Sequence, residues 1–284
     1  MKKKIIIIIL SIIGLIIIST SIYFIIQGNK KPVTYENEKT DDKTDIVEPT
    51  KTIEENDSKT NIANALYNIS QKESFKTTTT GKSKALFSTQ EIKDERIVIG
   101  SKAIVSTVSV GIVKLGKQKY LDKNTKKALI RDYETLSIDE VKWKEEAPEE
   151  ITFDEYINRY GTLPFEASAY IINNDTIKTI SDTIKVSDNE YKIELELKPN
   201  EAAFWYKHEI ATDSGSTMEP DFEYVKLVYY LDSNINILKI EVEEKYKVEV
   251  IIQTTATTNR TEVFEYDNIK FREEDLAYFE KNKG

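Results

Sequence analysis

The chain contains no cysteine. This excludes disulfides, thiolate metal sites, thiol catalysis and lipid attachment at an N-terminal cysteine. Histidine is almost absent: His208 stands alone, too little for a histidine metal site or a Ser–His pair. Beside Trp205 and Tyr206 it could line a pocket, but a histidine without ligating partners is expected at the surface or in the core. No phosphate-binding loop, GxSxG elbow, HExxH or EF-hand loop occurs, and no block repeats at a fixed period. Basic residues form no stripe and the net charge is −9, so nucleic acid is not an expected partner. Acidic pairs stand at Glu145 and Glu146, Glu149 and Glu150, and Asp154 and Glu155. Glycoside hydrolysis needs carboxylates opposed across a cleft, and mere adjacency reads as solvated charge. No metal, cofactor or enzymatic activity is expected.

What is present begins with Lys2, Lys3 and Lys4, followed by an apolar run over residues 5–26. About 22 residues at roughly 1.5 Å each span a bilayer core. A cleaved signal peptide has a shorter apolar region ending in a small-x-small site. The expectation is therefore an uncleaved signal anchor, residues 1–27, forming one transmembrane helix in a bacterial cell membrane. The leading lysines place the N-terminus in the cytoplasm and the rest of the chain outside, against the weaker opposing signal of Lys30 and Lys31. Residues 28–60 mix Lys, Asp, Glu, Thr and Asn with few large apolar side chains. They read as a disordered linker, because they bury too little surface to offset the entropy of ordering.

Residues 61–284 read as one α+β domain. Ile62, Leu66 and Ile69 have helical spacing. Thr-rich, strand-like sequence follows, with turns expected near Gly81, Lys93 with Asp94, and Gly100. Residues 118–122 and 128–132 form a hairpin pattern. Ser137 to Glu140 and Thr152 to Glu155 each match a capping box, and Phe153, Tyr156, Ile157 and Tyr160 make one helical stripe closed by Gly161. A further helix is expected over 165–172. Strands are expected over 183–186, 191–198, 222–231, 237–250 and 261–271. Residues 201–210 fit either a short helix capped by Asn200 or a bulged strand, residues 213–216 a loop, and Asp275 to Phe279 a terminal helical turn. In 237–250, Leu238, Ile240, Val242, Tyr246, Val248 and Val250 alternate with charges, the mark of a sheet with one buried and one wet face. Glu244 breaks that pattern, a charge on the apolar side.

This order of elements resembles the bacterial lipoprotein-carrier superfamily, the LolA and LppX/LprG-like half-barrels. The likeness spans residues 61–271 and is carried by the 62–69 helix leading into the 75–80 strand, and by the terminal meander from Tyr224 to Tyr266. It implies a curved antiparallel sheet wrapped around helices that cover one face, with a cavity for acyl chains. No binding residue transfers by motif, and the transmembrane helix would replace the lipidated cysteine of many such proteins. The function expected is a membrane-anchored binding protein at the cell surface, a carrier or sensor of lipid or another apolar ligand. The alternative is an envelope protein-interaction module without a cavity. The candidate lining is Phe153, Tyr156, Ile157 and Tyr160 on the helix, facing Leu195, Leu238, Ile240 and Val242 on the sheet. Core packing is the plainer role for each.

The anchor is testable directly. Protease added to intact, wall-stripped cells is expected to remove the domain beyond residue 60 while the N-terminal segment stays with the membrane. Full protection, or a secreted form starting near Gln27, would refute this topology.

Overall fold

The computed structural model describes residues 52–281, apart from 86–87, 112–113, 136, 145, 217 and 250–252. The expected anchor, and the expected linker up to residue 51, lie outside the described residues. Among those described, no helix is long and apolar enough to cross a membrane. Helix α1 (Ser58–Ser70) leads into β1 (Ser74–Ala85), β2 (Ser88–Ile99), β3 (Lys102–Val110), β4 (Leu115–Asp122) and β5 (Lys127–Thr135). Two short strands, β6 (Val141–Trp143) and β7 (Glu149–Thr152), precede α2 (Phe153–Tyr160). After an irregular segment come β8 (Ile177–Ile180), β9 (Ile184–Ser187) and β10 (Glu190–Leu197), then α3 (Pro199–Ala202) and α4 (Tyr206–Ser214). The long strands β11 (Asp221–Leu231), β12 (Ile237–Glu249) and β13 (Gln253–Glu265) come next, and α5 (Glu273–Lys281) closes the described chain.

The strands join in one large curved antiparallel sheet, in the order β6-β5-β4-β3-β2-β1-β13-β12-β11-β10-β8, with β7 also on β5 and β9 on β10. The class is therefore α+β, a large sheet with few helices. In β10 to β12 the inward positions are large: Ile193, Leu195, Leu197, Phe222, Leu227, Tyr229, Ile240 and Val242 are buried together with Ile62, Ala65 and Ile69 of α1. The outward positions carry ion pairs, Lys192–Glu194–Lys226 at 2.5 and 2.6 Å and Glu223 with Lys245 and Lys247 at 2.7 and 3.0 Å. On the other side of β1, Tyr156 and Tyr160 of α2 pack on Leu121, Ala128, Ile130 and Ile151.

Several expectations are corrected. The helices do not all cover one face. In β4, Tyr120 and Gln118 point away from the face that carries Leu121, and α5 packs on them. Phe279 stacks on Tyr120 at 4.9 Å, and Asp275 accepts from Gln118 at 3.0 Å and Arg131 at 3.3 Å. Ser137 starts no helix, because its backbone and that of Glu140 bond each other both ways, turning the chain into β6. Residues 165–172 are irregular, since their backbone bonds leave the segment: Ile171 N–H donates to Ala202 C=O at 2.8 Å. Gly81 and Lys93–Asp94 are not turns but lie inside β1 and β2. Residues 201–210 are largely helical, and Asn200 caps nothing; its side chain instead bonds the Phe222 N–H and C=O. Asp213 and Ser214 belong to α4, which stops at Gly215 with φ +64°. The α1 helix starts ahead of residue 61, capped by Asp57, whose carboxylate accepts from Thr60 N–H at 3.0 Å, so residues 58–60 belong to the fold rather than the linker. Finally, a register shift pairs Leu231 with Ile237 and Tyr230 with Lys239. That bulge gives the buried place to Ile237 and leaves Leu238 half-buried.

The Thr152 capping box forms as expected. Thr152 Oγ1 accepts from Glu155 N–H at 3.2 Å, and Glu155 Oε2 accepts from Thr152 N–H at 2.8 Å. Thr152→Ala is expected to lower unfolding free energy by about 0.5–2 kcal/mol, measured by denaturant titration. An unchanged midpoint would mean that the cap is not holding α2.

Candidate functional site

The register of β1 shows where the inner face is not filled. Beyond Phe75, which is buried in the core, its inward positions are Thr77, Thr79, Gly81, Ser83 and Ala85, all small. Across from them, β2 presents Arg96, Asp94, Ile92, Gln90 and Ser88, while β13 presents Glu262 opposite Thr79 and Ala256 opposite Ala85. Small side chains leave the cover standing off the sheet, and a cavity of about 410 Å³ lies between them. Its roof is Tyr156 of α2, the segment from Thr162 to Ala169, and Tyr206, Glu209, Ile210 and Asp213 of α4. The volume falls in the range of roughly 300–1,000 Å³ typical of small-molecule sites.

The lining changes character along the strands. At one level stand Thr79, Asp94, Thr107 and Glu262, with Arg96 one step further. Toward the far ends of β1 and β13 the walls become Ala85, Ala256, Val248 and Tyr246. The cavity thus gathers its charged groups at one end, while at the other these apolar side chains stand among the uncharged Ser83, Ser88, Gln90 and Thr254.

Ion pairs fix both walls. Glu244, the charge that broke the strand pattern, is 1% exposed. Its Oε1 accepts from Arg260 Nη1 at 2.7 Å, and its Oε2 accepts from the Tyr170 hydroxyl. Arg260 also donates to Tyr206 Oη at 2.8 Å and Tyr170 Oη at 3.1 Å. Burial pushes the Glu244 carboxyl up, opposed by Arg260 and Tyr170. Gly81 sits opposite Arg260, and a Cβ there would come within 2.5 Å of the arginine's own Cβ. On the other wall, Lys119 is fully buried, bonds Glu209 at 3.0 Å and lies 3.8 Å from the centre of the Tyr160 ring. Burial alone would pull its ammonium down; Glu209 more than offsets this and holds it protonated. Lys117 pairs with Asp213 at 3.3 Å. Gly161, at φ +79°, lets α2 and α4 meet, because a Cβ there would lie 2.0 Å from the Trp205 carbonyl.

Arg96 donates to Thr77 Oγ1 at 3.3 Å and to the Glu166 carbonyl at 3.0 Å. Asp94 differs: its Oδ1 is buried and accepts no hydrogen bond. Burial, then the charge of Glu209, pushes its carboxyl from 3.8 to about 7, against the opposing pull of Thr107, Arg260 and Lys119.

Of the expected lining residues, Tyr156 is on the cavity. Tyr160 packs beside it, with Phe153 against the same cluster. Leu195, Ile240 and Val242 are core, Leu238 is displaced by the bulge, and Ile157 is half-buried on α2 without reaching the cavity. His208 is 3% exposed, packed edge-on against Trp205 and away from the cavity. Large apolar residues fill space, so they mark the core; the signal for the cavity is the run of small residues at alternate positions of β1. Among the described residues, no group of three or more His, Asp or Glu side chains is arranged to hold a metal ion. No family model and no curated protein matches the chain.

Asp94 makes folding depend on pH. Its folded value is raised, so between about pH 4 and pH 7 the unfolded chain ionises while the folded chain does not, and stability falls as pH rises. Above about pH 7 the loss is complete, on the order of 4 kcal/mol. Asp94→Asn is expected to remove that slope and to raise the unfolding midpoint at about pH 8. Parallel pH profiles of the two proteins would contradict it.

Proposed function

We propose that the protein is a membrane-anchored, extracytoplasmic binding protein that carries or senses a lipid or another ligand with an apolar chain. We also propose that its fold is of the lipoprotein-carrier half-barrel kind. The observation that carries this reading is the cavity between the small-residue face of β1 and the cover formed by residues 162–169 and α4. An interior that merely needed filling would place larger side chains at Thr79, Ser83 and Ala85, because unfilled space costs stability. The apolar end suits a hydrocarbon chain, each buried methylene contributing about 0.8 kcal/mol before association costs of roughly 4–15 kcal/mol. Binding in the micromolar range is the expected balance. Anchoring rests on the apolar run of residues 5–26. The alternative, a docking module without a ligand, leaves the small-residue run of β1 without a role.

The test is native mass spectrometry of the full-length chain released from lipid nanodiscs. A bound lipid is expected on the unaltered protein and its loss in Ala167→Trp, which fills the cavity from the irregular cover segment. A chain that stays bare, and takes up no added long-chain alcohol or fatty acid, would reverse the choice in favour of the docking module.

A further inference from the structure

We infer that the head group taken by this cavity is a hydrogen-bond donor carrying positive charge, a protonated amine on a long-chain amphiphile, received by Asp94. The inference rests on the reading of the cavity as a ligand site and names the ligand's class.

Unspent hydrogen-bonding capacity singles out Asp94. Two arginines line the cavity, and both are engaged. Arg260 is held by Glu244 and the two tyrosine hydroxyls, and Arg96 by Thr77, the Glu166 carbonyl and the face of the Phe75 ring at 5.1 Å. An anionic head group, a carboxylate or phosphate, would have to break one of these sets. Among the acids, Glu209 and Asp213 are paired with Lys119 and Lys117, Glu262 lies 3.5 Å from Arg260 Nε, and Glu166, which also lines the cavity, is exposed, so that water can satisfy its carboxylate. Asp94 lines the same cavity, and its Oδ1 is a buried acceptor without a donor. An unpaired buried acceptor costs free energy that a matching donor restores. A donor that brings positive charge also stabilises the carboxylate form against burial and against Glu209, which a neutral hydroxyl does less well. The strand register then sets the pose. Asp94 is level with Thr79, and Ala85 and Ala256 lie further along the same face, so the head meets Asp94 while the chain runs toward the apolar end.

The experiment uses the full-length chain in vesicles of zwitterionic phosphatidylcholine at about pH 8. Three photoactivatable probes share one long alkyl chain and end in a primary amine, an alcohol or a carboxylate. Crosslinks are mapped by peptide mass spectrometry to the cavity-lining segments. The amine is expected to label these peptides at about tenfold lower concentration than the alcohol, a difference of about 1.4 kcal/mol, with the carboxylate weakest. In Asp94→Asn the advantage of the amine is expected to vanish while the alcohol still labels. Equal labelling by amine and alcohol, or the carboxylate labelling best, overturns the amine assignment and leaves the ligand site standing. If no probe labels the cavity, both fall. The ranking on the unaltered chain decides the matter even if the Asp94 variant fails to fold.

Discussion

The buried pair of Glu244 and Arg260 is the constraint on which the rest of the domain depends. Removing two such charges from water costs several kcal/mol each, and the cost is offset only if the remaining donors and acceptors are satisfied. Here the satisfaction comes from Tyr170, in the irregular cover segment, and from Tyr206, at the start of α4. The pair therefore fixes more than the neighbouring strands. It sets where two separate covering elements must stand above the sheet. Where β1 crosses beside it, glycine is required at position 81, because a Cβ there would meet the Arg260 Cβ and Cα and the Asn259 carbonyl. On the far wall Lys119 and Lys117 tether α4 in the same way. A cover held by such ties at both sides cannot settle onto the small residues between them, and the space stays open.

The inner face is thus divided by residue size rather than by polarity. From β10 to β12 large side chains meet α1 in a filled core. From β13 across β1 to β3 the inward side chains are mainly small or polar, and the cavity lies over them. The second compact cluster, around Tyr156 and Tyr160, closes the other side. The open region is flanked by packed ones, so a void that would otherwise be costly is supported by its neighbours.

Much of this is legible in the sequence. Alternation in 191–198 and 222–249 reads correctly as strands with one wet face, because a period of two survives without any tertiary context. The Thr152 box reads correctly because cap, apolar stripe and stop glycine all agree. The same four-residue pattern at Ser137 misleads, since Val141, Lys142 and Trp143 continue it as a strand alternation rather than an apolar helical stripe. Gly81 reads as a turn on composition, whereas its need arises from Arg260, a residue far away in the chain. Glu244 stands out as an anomaly, but its partners come from two distant segments. The candidate site is the least legible part. Large side chains draw the eye where small ones make the room, and of the large ones expected there only Tyr156 reaches the cavity. The α5 packing on the opposite face is equally hidden, for Asp275 and Phe279 find their partners in β4 and β5.

The pairing of β1 with β13 has a consequence for how the domain is made. Among the described strands every other neighbouring pair is joined by a much shorter stretch of chain, most of them as direct hairpins, with α3 and α4 inserted between β10 and β11, and these pairs can form as soon as their strands exist. The central seam joins the first strand to the last, so loop-closure entropy must be met before it yields any contact. Until then β1 and β13 are open edges, the kind of surface on which chains pair wrongly with one another. The cavity straddles that seam, with Thr79 on one side and Ala256 on the other. In a chain synthesised from its N-terminus, the cavity is consequently the last part to come into being, and the interval before the seam closes is when the protein is most exposed to aggregation.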